Sequence, residues 1–429
     1  MSIDRRSFLR TSSLGIAGSL VATSPVGSRL VTDAADALPR LRTPGDWDEV
    51  RESFAIDRSW IHMAGLLLAS HPGPVADSIR YFREELDRNP THGWQEHRSE
   101  ESRSREVMAR YVEADANDIA VTGSTTMGLA IIFNGLRLGE GDEILHTTHD
   151  HSVTNRSIQF KSEQSGASVR RISLYEDDRP EEASETEILA RLERGIRPET
   201  KVVGATHVHS KNGVKLPIGA MSEVIDRANE ARADKDQITF VVDGVHGFGI
   251  ENTTMEALGC DFFCAGTHKW IFGPRGTGMV WGHPRAQNRV IPTIPSFSGG
   301  GWGGRMTPGG FHSFEHRWAL GQAFEFHMGI GKDRVQSRIH ELNLALKEGL
   351  AAMDHVRLYT PMDMSLSSGL VCFDVDGMSQ RQVVTRLQDA HRIIASTTPY
   401  SPSYARFTAG LLNDEADVET CLRAVRELA

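Results

Sequence analysis

The stretch Phe240-Val241-Val242-Asp243-Gly244-Val245-His246, with Phe262-Phe263-Cys264-Ala265-Gly266-Thr267-His268-Lys269-Trp270 downstream, decides how this chain reads. Each half is an apolar run of β-branched or aromatic residues that ends in polar groups. Such a run is a buried strand whose polar end emerges at the edge of a sheet. The first strand delivers a carboxylate, Asp243, and the second an amine, Lys269. Gly244, a residue without a side chain directly after the carboxylate, marks a close approach by another group. A lysine after an aromatic-rich buried strand is not a solvated surface charge, and burial lowers its pKa towards that of a usable base.

Upstream, strands at 118–122, 143–147, 169–174, 202–207 and 238–242 alternate with helices at 125–136, after His151, at 185–194 and at 218–231. Strands at 262–265 and 279–281 make seven. The alternation predicts an α/β fold with a mainly parallel seven-stranded sheet covered on both faces. The stretch Ser298-Gly-Gly-Gly-Trp-Gly-Gly304 breaks the pattern and reads as a mobile loop between two domains. Beyond it come helices at 319–330 and 334–353, strands at 368–375 and 392–396, and helices at 380–391 and 418–428. These form a smaller α+β domain over 301–429. The large domain covers 47–300. Its N-terminal segment, with a short strand at 59–63 and helices at 74–87 and 99–113, belongs partly to the small domain. Residues 89–94, between those helices, read as a loop whose His92 and Trp94 could face a site.

The chain has 429 residues, 39% hydrophobic and 24% charged, which suits two soluble, packed domains. Its net charge of −10, without a Lys/Arg run, argues against nucleic acid as a partner. Cys260, Cys264, Cys372 and Cys421 form no C-x-x-C pair and read as core thiols. Asp4-Arg5-Arg6-Ser7-Phe8-Leu9-Arg10, followed by a short apolar run, resembles a twin-arginine signal over residues 1–37, with Ala35-Asp36-Ala37 as its cleavage site. The run is too short for a stable membrane span. A periplasmic location follows, reached in the folded state through the twin-arginine export machinery.

Val121-Thr122-Gly123-Ser124-Thr125-Thr126-Met127-Gly128 is a strand end, a turn and a helix start. Free N–H groups at such a start, with the hydroxyls of Ser124, Thr125 and Thr126, suit a phosphate. His151, in His149-Asp150-His151 after the next strand, is placed to lie flat on a cofactor ring. A second H-x-H, His207-Val-His209, opens a reading as a metal-dependent amidohydrolase. That reading needs an eightfold barrel with H-x-H on its first strand, and both pairs here lie in mid-chain. No metal site is expected. Asp243 and Lys269 together suit pyridoxal 5′-phosphate (PLP). The amine forms a Schiff base with the aldehyde, and the carboxylate keeps the pyridine nitrogen protonated, so that the ring draws electrons. His246 is a candidate for the phenolic oxygen and His268 for the phosphate.

Asp243-Gly-Val-His246, Gly266-Thr-His-Lys-Trp270 and Gly273-Pro-Arg-Gly-Thr-Gly278 resemble class V aminotransferases of PLP fold type I, in their isopenicillin N epimerase-like branch. The resemblance spans roughly residues 55–425. It implies Lys269 as the Schiff-base lysine, Asp243 on the pyridine nitrogen, His246 on the phenolic oxygen and His151 stacked on the ring. It implies phosphate contacts around Thr125, Thr126 and His268, and a carboxylate-binding arginine at Arg406. It also implies a homodimer with sites at the interface. Three departures stand out. Gly266 replaces a side chain that relatives often offer the phosphate. His316-Arg317-Trp318 replaces the Gly-Thr commonly lent to the partner subunit, so Arg317 is a substitute candidate at the site. Cys372 lies in a strand, not in the mobile loop of a cysteine desulfurase. Transamination of a small-molecule or peptide amine is the expected activity. Epimerisation, elimination and the tailoring of a siderophore peptide are the alternatives.

Overall fold

Phe240–Val242 is apolar and ends in Asp243, and all five residues of Thr239–Asp243 are buried, as are those of Phe262–Gly266. A strand buried on both faces needs neighbours on both sides. In the computed structural model, which describes residues 45–429, the two lie side by side in a seven-stranded sheet. The signal segment expected over 1–37 lies outside the described residues.

The chain enters through α1 (Trp47–Glu52), β1 (Ile61–His62), α2 (Gly73–Arg88), α3 (Pro90–His97) and α4 (Glu100–Val112). Then come β2 (Ile119–Thr122), α5 (Thr125–Gly135), β3 (Glu143–Thr147), α6 (Ser152–Ser165), β4 (Ser168–Ile172), α7 (Glu185–Gly195) and β5 (Thr200–Thr206). They are followed by α8 (Ile218–Glu230), β6 (Thr239–Asp243), α9 (Met255–Leu258), β7 (Phe262–Gly266) and β8 (Gly278–Gly282). The remainder holds α10 (Gly301–Met306), α11 (Phe314–Ile330), α12 (Lys332–Ala351), β9 (Val356–Leu358), β10 (Val371–Val375) and α13 (Gln380–His391). It ends with β11 (Ile393–Ile394), β12 (Ser396–Thr397), β13 (Ala405–Phe407) and α14 (Glu415–Arg426).

The large sheet has the order β2-β8-β7-β6-β5-β3-β4, and β8 alone runs antiparallel to the rest. This is the α/β architecture with a mainly parallel seven-stranded sheet that the alternation predicts, and it agrees with the fold type I that the resemblance implies. One face is packed by Leu129, Ile132, Phe133 and Ile158 of α5 and α6. The other is packed by Met108, Leu192, Met221 and Phe324 of α4, α7, α8 and α11. Register places Asp243 opposite Thr206 on one side and Cys264 on the other. A second, antiparallel sheet, β12-β13-β10-β9, has its own core around Leu346, Phe373, Leu387 and Phe407. β1 pairs in parallel with β11, which ties the segment before the large sheet to C-terminal residues.

Three local expectations are corrected, and two strands were not foreseen. Residues 89–94 are not a loop: Pro90 opens α3, where its missing N–H is harmless, and Trp94 packs near Phe311 and Phe314. The Gly-rich stretch is not all loop either, because Gly301–Met306 is helical. Trp302 is buried against Gly282, where a Cβ would meet its ring at 2.5 Å. The strand expected at 392–396 is two short ones, β11 and β12, with different partners. β9 and β13, three residues each, are too short to show a period. Among the described residues no helix is long and apolar enough to cross a membrane.

Candidate active site

A cavity of about 280 Å³ opens beyond the carboxyl ends of β5 and β6 and the polar end of β7, against the first residues of α5 and α6. Open parallel sheets bind ligands at that end. Its wall brings together Ser124, Thr125, Thr126, His151, Asp243, His246, His268, Lys269 and Arg406.

Asp243 is the last residue of β6 and is 3% exposed. Its carboxylate accepts from the Val245 N–H and from Thr154 Oγ1, each at 3.2 Å. Burial pushes its pKa up to about 6, against the lowering pull of the Val245 N–H and the Lys269 charge. A second buried carboxylate, Asp150, adds to the rise. Burial alone would raise Asp150 too. His146 and Thr206, whose Oγ1 donates to Asp150 at 2.8 Å, hold it low instead.

Lys269 follows β7 and turns into the same space. Burial lowers its pKa to about 8, although Asp243 opposes this. Its Nζ is 3.4 Å from His246 Nε2. Burial, then the Lys269 charge, drives the His246 pKa well below the ordinary value, so this ring is neutral and Nε2 accepts. His246 Nδ1 is buried without a partner. His151 caps α6: its Nδ1 accepts from the Val153 N–H at 3.2 Å, which leaves the ring proton on Nε2.

At the other end, Ser124 caps α5 by accepting from the Met127 N–H at 3.1 Å. The N–H groups of Thr125 and Thr126 stand in the first turn, outside the intrahelical ladder. Thr125 Oγ1 and His268 Nδ1 are buried without partners. Gly266 is explained here, because a Cβ would come within 3.0 Å of both His268 Cε1 and Thr125 Oγ1. Those two side chains occupy the space that a larger residue at 266 would need.

Arg406, 1% exposed on β13, donates from Nε to Ser396 Oγ at 3.1 Å and from Nη1 to the Ser210 carbonyl at 2.6 Å. Arg317 is not in this cavity. It pairs with Glu101 at 3.0 Å and lines a separate hollow with Trp94, Phe297 and Phe311. Of the two H-x-H pairs, His149 lies 2.8 Å from Asp177 and stacks on Tyr175, and His209 Nδ1 meets the Tyr175 hydroxyl at 2.7 Å. Among the described residues no group of three or more His, Cys, Asp or Glu is placed to hold a metal ion. All four cysteines are buried and free.

Thr154, Ser210 and Leu66 are among the site residues that escaped the sequence reading. Thr154 lies one helical turn past His151, and that spacing is a usable signal. Ser210 and Leu66 carry no local signal.

The residues fit PLP. A buried carboxylate whose hydrogen bonds come only from the Val245 N–H and Thr154 Oγ1 stands at one end, and unpartnered Thr125 Oγ1 and His268 Nδ1 stand beside a helix N-terminus at the other. Lys269 lies on the same wall. Fold and site together define a PLP enzyme of fold type I. Residues 69–420 match Aminotransferase class-V, and the chain belongs to that family. It is 25% identical over 412 residues to isopenicillin N epimerase of Streptomyces clavuligerus, covering 89% of this chain and 98% of that one. It is 25% identical over 305 residues to a probable cysteine desulfurase of Halalkalibacterium halodurans, covering 66% and 69%. Among solved structures it resembles a C-DES variant with glycine covalently linked to its PLP, with a TM-score of 0.80 and 21% identity over 88% of this chain and 99% of that one. The cysteine desulfurase of Thermococcus onnurineus gives 0.78 and 20%, over 91% and 98%. PLP is the cofactor of this family.

Proposed function

We propose that this enzyme takes the α-proton from a primary amine that also carries a carboxylate, and that epimerisation at that carbon is the outcome. When bound, PLP would supply an electron sink for the carbon next to the substrate amine. The chain supplies the rest. Asp243 holds a protonated ring nitrogen. Arg406 orients the carboxylate, with charge-assisted hydrogen bonds stronger than neutral ones. With PLP bound, Lys269 would hold its aldehyde and would receive the α-proton at Nζ, and return of a proton to the opposite face of the same carbon would complete the epimerisation. A pKa near 8 leaves part of the lysine neutral near pH 7.

The carrying observation is the convergence of Lys269, Asp243 and Arg406 on one wall. An epimerase relative matched over 98% of its length supports epimerisation as an outcome. One finding stands against desulfuration. The four cysteines are all buried, which removes the thiol that a persulfide route would load. Transamination, expected from the sequence, gains no support from these relatives.

The test is incubation of the PLP-loaded protein with L-amino acids in D2O. NMR reads deuterium at the α-carbon and chiral chromatography reads the D form. A keto acid in place of the D form points to transamination, and absence of α-exchange sinks the proposal. A homodimer and a periplasmic location belong to the same reading. Light scattering and cell fractionation check them.

A further inference from the structure

The hairpin of β12 and β13 carries Arg406 on its second strand and puts Thr397 and Pro399 on the cavity wall. Its connecting loop is tied off at the base. The Thr398 N–H donates to the Tyr404 carbonyl at 2.9 Å, and the Tyr404 N–H donates to Thr398 Oγ1 at 2.9 Å. Ser403 Oγ donates to the Thr398 carbonyl at 2.6 Å. Tyr400 stands in this loop, and its hydroxyl lies 2.7 Å from Ser210 Oγ. Ser210 follows β5, and it is the residue whose carbonyl accepts from Arg406 Nη1. The Tyr400 ring also meets the His151 ring edge-on, at 6.3 Å and 85°. One side chain therefore touches both the residue that fixes the guanidinium and the imidazole at the mouth of α6.

We infer that Tyr400 is a positioning residue for the substrate carboxylate: through Ser210 it fixes the carbonyl that aims Arg406, while its ring sets the plane of His151. The inference rests on the reading of Arg406 as the carboxylate site. With Nε on Ser396 and Nη1 on Ser210, two guanidinium nitrogens are held by the protein. The direction of the remaining one depends on where the Ser210 carbonyl stands. Burial pushes the Tyr400 hydroxyl up to about 12, so it stays protonated and acts by hydrogen bonding, not by charge. Its role is distinct from that of Ser396, which holds Arg406 from its own sheet. Tyr400 couples the arginine to the exit of β5, whose last residue, Thr206, pairs with Asp243 at the end of β6.

The test uses PLP-loaded protein and two probes, L-norleucine and n-pentylamine, which share a chain and differ by the carboxylate. Binding is read from the visible absorbance of the cofactor. Wild-type protein is expected to prefer norleucine. Tyr400→Phe, which removes one oxygen and keeps the ring, should lose about five- to tenfold of that preference, the worth of one neutral hydrogen bond. Its affinity for n-pentylamine should not change. Ser210→Ala should show the same loss, and the double variant no more than either single one, because both break one link. Full wild-type preference in Tyr400→Phe, or equal weakening of both probes, overturns the inference. A wild-type protein with no preference, or an Arg406→Gln variant with undiminished preference, overturns the carboxylate reading of Arg406 instead.

Discussion

Nζ of Lys269 lies 3.4 Å from Nε2 of His246, an imidazole that burial keeps neutral. The ring accepts from the amine without sharing its charge. Asp243 is the counter-charge, and it pulls the Lys269 pKa up against burial. The amine is thus oriented by one group and tuned by another. Lys269→Ala should lose the visible absorbance of the lysine-bound cofactor, and α-proton exchange should fall about 10²–10⁴-fold, the worth of a positioned base. Lys269→Arg should fail as completely, since a guanidinium stays protonated. Exchange at the wild-type rate in either variant removes Lys269 from the mechanism.

Without PLP, Asp243 and Lys269 make stability depend on pH. Asp243 rises from 3.8 to about 6, so the stability its protonated form contributes is full below pH 4 and is lost as pH climbs to 6. Lys269 falls from 10.5 to about 8, so its contribution is full above pH 10.5 and is lost as pH drops to 8. The two windows leave a minimum between about pH 6 and 8. Each full shift corresponds to on the order of 3 kcal/mol. Thermal melts of PLP-free protein should therefore show greatest stabilisation by added PLP in that interval. Asp243→Asn should raise the PLP-free Tm at pH 7 while slowing turnover about 10²-fold or more. A PLP effect that is flat from pH 5 to 10 contradicts this account.

The thiols should be silent. Burial pushes Cys372 up to about 12 and raises Cys260, Cys264 and Cys421 as well. A buried thiol that stays protonated is a poor nucleophile. A maleimide should label none of the four in native protein, as read by intact mass, and Cys372→Ala should keep wild-type activity. Labelling at Cys372 that abolishes activity would restore a persulfide route.

The sequence carried the large sheet and the cofactor end of the site because both rest on short stretches of chain. Asp243 and Lys269 each sit at the end of one apolar run, and Ser124–Thr126 form one helix start. Gly244 also read correctly as a point of close approach. The approaching group is Phe263 of the neighbouring strand, whose ring atoms would lie 1.9 Å from a Cβ at 244. The substrate end depends on contacts between distant stretches. Tyr400 meets Ser210 across 190 residues and Arg406 meets it across 196. No local pattern announces such pairs. Residues 89–94 failed for a different reason: His, Gly and Pro suggest a loop, yet packing of Trp94 near Phe314 holds them in a helix.

The side chain of the substrate should be apolar. Among the described residues on the cavity wall, Asp243, Lys269 and Arg406 are the charged groups apart from histidines, and the proposed function gives each a task at the α-carbon or the cofactor. Leu66 and Leu67 line the wall from the segment after β1, and Leu67 is 56% exposed. An acidic or basic side chain placed against them loses hydration with no partner in return. Kinetics with leucine, methionine, glutamate and lysine should rank the first two ahead. Leu67→Asp should lower kcat/KM for leucine about tenfold or more while leaving the cofactor spectrum unchanged, since apolar contacts in a pocket discriminate on that scale. Glutamate or lysine as the preferred substrate of the wild-type enzyme would show that recognition beyond the α-carbon comes from charges other than those on this wall.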